Sequence, residues 1–378
     1  MKYIVLALAI MANANASSGV APLTDRQAIV EEINSTPGVT WKATLSERFA
    51  NEPLGSRRHT YGAHPANAAQ IAEAAAAGKL KVAPMISAEE AAGLPESFDS
   101  ETNWPKCAKV IGDIRDQSNC GCCWAFAAAS SASDRACIAS DGEIAVPFSA
   151  QDVCFNAESS GCNGGTLYTP WSFIQSTGVV TGGQTAYDVA SPKSDPFDDM
   201  RTDLCASFSM PHCFHHGPEN TSPYPAEGDE GCPSQTSPAG PLTCDDNSTI
   251  ASFEDDKYSF DGSVYVYGSS SSSTETIMKA IMDDGPVEAA FTVYADFEQY
   301  SSGIYSHVTG ASMGGHAIRL VGWGTEGGVD YWKVANSWNP YWGEEGYFRI
   351  KRGVDECYIE SQVYASSPGA TWAKKSAL

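Results

Sequence analysis

Cys123 stands immediately before the run Trp124-Ala-Phe-Ala-Ala-Ala129, and neither Gly nor Pro interrupts residues 124–138. That composition predicts a buried helix opening at Cys123, where the aligned peptide dipoles favour a thiolate. A thiolate nucleophile needs a base and a group to orient that base. His316, in Met313-Gly-Gly-His-Ala-Ile318, is the candidate base, and Asn336, in Asn336-Ser-Trp338, is the candidate orienting group. Gln117 offers side-chain N–H donors for a developing oxyanion. Singly, each has an ordinary reading: a core histidine, an Asn-Ser turn, a surface glutamine. Jointly they point to acyl transfer through a covalent intermediate.

The order Gln117, Cys123, His316, Asn336 lies within Ile114-Arg-Asp-Gln117, Cys162-Asn-Gly-Gly165, Gly285-Pro-Val-Glu288, Gly315-His-Ala-Ile318 and Asn336-Ser-Trp-Asn339. It resembles the papain-type cysteine peptidases and, in this finer detail, the cathepsin B group. The likeness spans residues 94–363. It implies an α+β, two-lobed fold: a helical lobe over about 94–250 faces an antiparallel β-barrel-like lobe over about 251–363, with the cleft between them. It also implies hydrolysis of peptide and protein substrates by a Cys123 thiolate and His316 imidazolium, with no cofactor and no metal, in a monomer open to cystatin-like inhibitors. Trp124, Gly164, Gly165, Gly315, Ala317 and Trp338 would line the cleft, with Trp338 shielding the His316–Asn336 contact. His215 and His216, in an occluding loop over about 205–244, would clamp the substrate's C-terminal carboxylate with Asp116 as acidic partner, so that dipeptides are removed. Gln362 falls where the family carries an acid at the S2 floor, which weakens preference for Arg at P2. The alternatives are an endopeptidase without dipeptide removal and a catalytically silent papain-fold binding protein.

The chain has 378 residues, 12 Cys and a formal net charge of −23. Such acidity excludes a nucleic-acid partner. Residues 1–16, with Lys2, an apolar stretch and Ala14-Asn-Ala16, read as a secretory signal, and no later run reaches a membrane span. These features place the chain in the secretory pathway, bound for a lysosome or vacuole or for the exterior. Residues 17–93 hold seven Lys/Arg, eight Asp/Glu and no Cys, which leaves the whole −23 to residues 94–378. That shift marks a boundary, and the resemblance implies an inhibitory propeptide (17–93) before it, most like the family's over residues 29–49, and the peptidase domain (94–378) after it. Within the propeptide, residues 24–33 suit a short helix, Trp41 follows, and an Ala-rich stretch over 65–77 ends at Gly78; Arg57-Arg58 could be a processing pair. Sequons stand at Asn34, Asn220 and Asn247.

Strand-like runs occupy 263–267, 287–293, 317–323, 331–334 and 347–351. A low-complexity serine loop covers 269–273, and a helix over 274–284 stops at Gly285-Pro286. Twelve Cys behind a signal read as a disulfide framework. By the resemblance, Cys107 pairs with Cys137, Cys120 with Cys162, Cys205 with Cys244 and Cys213 with Cys232, while Cys122, Cys154 and Cys357 stay unassigned. Cys122 replaces the family's usual Ser. It can be read as a small buried thiol, as a trap for an oxidised Cys123, or as part of a zinc set with Cys120, Cys123 and His316.

Overall fold

The computed structural model describes residues 24–45, 52–157, 160–184, 203–210, 236–268 and 273–378. The signal stretch, His215, His216, Asn220, the Cys213–Cys232 pair and most of the serine loop lie outside these residues.

The N-terminal segment contributes α1 (Thr24–Ser35), β1 (Trp41–Ala43), α2 (Ala68–Ala76), β2 (Leu80–Val82) and α3 (Ala88–Ala92). A capping box at Asn67 and Gln70 starts α2, and another at Ser87 and Glu90 starts α3, so both helices have their first orphan N–H groups satisfied locally. Then come β3 (Phe98–Asp99), α4 (Ser100–Asn103), α5 (Ala108–Ile111), α6 (Cys123–Ala139), α7 (Ala150–Asn156) and α8 (Tyr168–Ser176). Every residue of α6 from Cys123 to Cys137 is buried. A helix buried on all sides has no solvent face and becomes the axis on which others pack, here α5, α7, α8 and the sheet, and its two charged residues, Asp134 and Arg135, are paired with Arg319 and Asp284.

The second half supplies β4 (Tyr258–Phe260), β5 (Val264–Tyr267), α9 (Thr274–Asp284), β6 (Val287–Tyr294), β7 (Tyr300–Tyr305), β8 (Ser312–Glu326), β9 (Val329–Ala335), β10 (Tyr347–Lys351), β11 (Val363–Ser366) and β12 (Trp372–Lys374). Gly285, at φ +102, takes a backbone conformation that ends α9 and turns the chain into β6. The main sheet runs β1-β7-β10-β9-β8-β6-β11-β5-β2, with β3 paired to β8. The barrel-like lobe read from sequence is therefore an open sheet in its hydrogen bonding, and it includes parallel pairs at β7–β10 and β2–β5. Both ends of the path are strands of the N-terminal segment.

Trp41 anchors one of those ends. It is 2% exposed, its ring lies 4.9 Å from Tyr305 and 6.1 Å from Tyr300, and its indole N–H donates to the Ser306 carbonyl at 3.0 Å. Truncation of a buried Trp costs about 3–5 kcal/mol. Trp41→Ala should therefore loosen residues 24–93 without unfolding the rest. Limited proteolysis of the full chain should remove the segment faster, while the urea midpoint of the 94–378 domain stays unchanged.

Candidate active site

Cys123 opens α6 and is fully buried. Just after the 3₁₀ turn Arg58–Thr60, Gly62 and Ala63 of the N-terminal segment bridge to Gly315 and Gly165, and the backbones of Gly62 and Ala317 reach the Cys123 thiol. Ala63 N–H donates to Gly315 O at 3.0 Å, His64 N–H to Gly165 O at 2.9 Å, and Gly165 N–H to Gly62 O at 2.9 Å. A Cβ on Gly62 would stand 1.9 Å from the Gly121 carbonyl oxygen, and one on Gly165 would stand 2.6 Å from the Trp124 ring. Only glycine permits this approach.

Burial pushes the Cys123 thiol up to about 12, with Cys122 and Glu288 adding to the rise and the backbones of Ala317 and Gly62 opposing it. The expected thiolate is thus absent from this covered state, because desolvation outweighs the helix N-terminus. His316, on β8, engages Asn336 just beyond β9, with Nε2 2.8 Å from Oδ1. An amide oxygen only accepts, so Nε2 carries the proton. Asn336 Oδ1 also accepts the Ser337 N–H at 2.8 Å. Trp338 covers this pair, its ring 4.8 Å from that of His316, and Tyr61 approaches the imidazole edge-on at 6.2 Å. Ser337 Oγ donates to Gln117 Oε1 at 2.7 Å, which aims Gln117 Nε2 at the carbonyls of Thr60, 2.9 Å away, and Cys120, 2.8 Å away. The site of an expected oxyanion donor therefore holds a carbonyl of the N-terminal segment.

Gln362 takes part too. Its Oε1 accepts the Ala66 N–H at 2.9 Å and its Nε2 donates to the Ala66 carbonyl, so one side-chain amide reads one peptide unit. Elsewhere in the segment's docking, Tyr61 donates to Glu298 Oε1 at 2.9 Å and Arg26 pairs with Glu298 Oε2 at 3.0 Å. Burial holds the Glu298 carboxyl above its usual range against the pull of Arg26, Tyr61 and Arg57. A carboxyl raised in the docked state gives its full contribution to docking at low pH and loses it as pH rises. Acid therefore does not eject the segment through Glu298. Arg57 is 6% exposed and lies 3.6 Å from Glu52, whereas Arg58 is exposed, so only one side chain of the Arg57-Arg58 pair is shielded while the segment is docked.

Disulfides join Cys107 to Cys137, Cys120 to Cys162 and Cys205 to Cys244. Cys120 is therefore no zinc ligand in this oxidation state. Cys122 points its thiol at the Gln117 carbonyl, 3.8 Å away, and neighbours Cys154 rather than serving Cys123 alone. Asp116 accepts from Ser118 N–H at 2.7 Å and Asn339 Nδ2 at 3.2 Å. Asn34 spends its amide on both backbone groups of Ala43, and Asn247 is exposed. Sequence reasoning missed the bridged pair Gly62-Ala63, whose one signal is its small size after Tyr61, and the Arg26–Glu298–Tyr61 cluster.

A family profile for papain family cysteine proteases matches residues 94–367. Cathepsin B-like cysteine proteinase 4 of Caenorhabditis elegans is 38% identical over 372 residues, covering 97% of this chain and 99% of that protein. A cathepsin B-like cysteine proteinase of Schistosoma japonicum is 38% identical over 349 residues, covering 92% and 91%. Among solved structures, proCathepsin B S9 from Trypanosoma congolense superposes with a TM-score of 0.67 at 29% identity, over 90% of this chain and 98% of that one. Procathepsin L 3 of Tenebrio molitor shares the fold at a TM-score of 0.57 and 20% identity, over 91% and 90%.

A thiol titrating at about 12 is protonated at neutral pH, and its thiolate fraction rises tenfold per pH unit. Iodoacetamide should therefore leave Cys123 of the full chain almost untouched at pH 7. Gly62→Ala, which cannot seat against Gly121, should speed alkylation of Cys123 by at least about 100-fold; peptide mapping of the alkylated protein reads the result.

Proposed function

The chain belongs to the papain family of cysteine proteases, and we propose that it is the precursor of a cathepsin B-like enzyme that cleaves peptide bonds and also removes C-terminal dipeptides. The observation that carries this reading is the occupied cleft. A peptide strand of the chain itself lies over Cys123, bonded to Gly165 and Gly315, with the Thr60 carbonyl on Gln117 Nε2. A groove that holds one extended peptide by backbone hydrogen bonds suits another.

Once residues 60–66 leave, water reaches the sulfur, and the helix N-terminus and the imidazolium both favour the thiolate. With Nε2 engaged by Asn336, proton transfer runs through His316 Nδ1. Cys123 Sγ attacks the substrate carbonyl, and the oxygen gathers charge between Gln117 Nε2 and the Cys123 N–H, contacts worth about 3 kcal/mol each in comparable sites. His316 gives its proton to the leaving amine, and the acyl enzyme forms. His316 then takes a proton from water, which attacks the thioester and restores Cys123. Trp338 keeps the His316–Asn336 bond dry.

The dipeptide step rests on the paired His215 and His216 and on Asp116, since two protonated imidazoles suit a substrate carboxylate. Glycans on Asn220 and Asn247, passage through the secretory pathway and inhibition by cystatin-like proteins belong to the same reading.

Cys123→Ala should lower kcat/KM by on the order of 10⁴-fold or more, and Asn336→Ala by less, in a fluorogenic peptide assay of the acid-processed enzyme. Wild-type turnover surviving in Cys123→Ala would end the proposal. For the dipeptide step, amidating the C-terminus of a substrate at about pH 5 should cut its cleavage at least tenfold, and His216→Ala should erase that difference. Equal cleavage of both substrates by the wild type leaves an endopeptidase. At the S2 floor, the neutral Gln362 amide forfeits a charge-assisted contact, so kcat/KM should rank Phe, Leu or Val at P2 above Arg.

A further inference from the structure

The structure assigns Arg319 as a positioning residue, whose guanidinium holds the His316 strand, the Cys123 helix and the chain leading to Gln117 in one arrangement. This inference rests on the catalytic reading above. Arg319 lies three residues after His316 on β8, on the opposite face of the strand, and is 3% exposed. Its Nη1 meets Asp134 Oδ2 at 2.6 Å, and its Nη2 donates to the carbonyls of Ile111 at 3.0 Å and Asp113 at 3.1 Å. Asp134 is fully buried and lies about three helical turns beyond Cys123, on the same face of α6. Asp113 leads directly into Ile114-Arg-Asp-Gln117. Arg115 adds a second tie, with its Nε 2.7 Å from Asp113 and its Nη1 2.8 Å from the Phe148 carbonyl. One side chain thus touches the three segments that carry the base, the nucleophile and the oxyanion donor.

The seam beside it is close-packed. A cavity of ≈ 10 Å³, about one water molecule in size, is lined by Arg319, Asp113, Ala317 and Asn336 among others. Stability does not account for such a pair, since a buried ion pair is commonly matched or bettered by apolar residues of equal volume. Burial in fact raises Asp134 to about 6 despite Arg319. The arrangement instead supplies direction. A planar fork with fixed N–H vectors sets distance and angle between segments, whereas apolar contacts slide. Misplacement by about 1 Å costs a catalytic pair on the order of 100-fold.

The test compares Arg319→Met/Asp134→Leu, Arg319→Lys, Asp134→Asn and Asp134→Ala in the processed enzyme. The double variant should keep its thermal midpoint within about 5 °C, lose kcat by 10- to 100-fold with KM changed less than threefold, and shift the pH profile of Cys123 alkylation. Asp134→Asn, which keeps an acceptor for Nη1, should hold kcat within about threefold, while Asp134→Ala loses at least tenfold. Arg319→Lys should fall between. A double variant with wild-type kcat and alkylation profile overturns the assignment; if it does not fold, equal kcat in Asp134→Asn and Asp134→Ala does so. A wild type that hydrolyses no peptide would defeat the catalytic reading alone, and the alkylation profiles would still report on Arg319.

Discussion

Close approach of bare backbone over one sulfur is the constraint on which this structure turns. Gly62, Gly121, Gly165 and Gly315 meet where the Cys123 thiol is enclosed, and a Cβ on any of them would stand within 2.6 Å of a neighbour. Because no side chain props the strands apart, the segment can pair with both cleft walls at once and exclude water. On the proposed reading, the bareness that would admit an extended substrate also admits the chain's own segment, so that inhibition and recognition would use one set of hydrogen bonds.

Magnitudes decide the state of the Cys123 thiol. Moving the thiol from 9.0 to about 12 corresponds to about 4 kcal/mol against the anion. A helix N-terminus returns only about 0.3–1 kcal/mol, or about 2 in a favourable buried geometry. The dipole is present in both the covered and the open enzyme; hydration changes. On the proposed reading, activation is therefore a change of solvent at one atom more than a rearrangement of residues, since His316, Asn336 and Gln117 already hold one another through Ser337.

Much of this was legible in the sequence where periodicity and composition are local. The Ala-rich run of α6, the Gly-Pro stop after α9 and the strands β5, β6, β9 and β10 lie within a few residues of where pattern places them. Other features depend on contacts far along the chain. Strands β1 and β2 have three residues each, too few to show alternation, and exist because β7 and β5 offer free edges more than 180 residues away. β8 begins earlier than its apolar run because Gly314 and Gly315 carry no pattern while still pairing with β6. Motif words marked the four catalytic candidates, yet nothing local shows that Cys122 lies beside Cys154, or that Arg319 reaches Asp134. Those are properties of the packed seam.

The position of β1 and β2 explains how a weak strand can hold a cleft shut. Residues 60–66 make only a handful of backbone bonds, each worth about 1 kcal/mol net, which alone is a poor inhibitor. They are flanked, however, by an aromatic anchor at Trp41 on one end of the sheet and by β2 on β5 at the other. Fixing both ends makes closure intramolecular, at an effective concentration set by the short connections rather than by solution. Inhibition of this kind is strong while both anchors hold and fails once either is cut, because the central strand then reverts to its own small affinity. On the proposed reading, the anchors hold the segment near the cleft and the glycine contacts over Cys123 seal it, so loss of either opens the site.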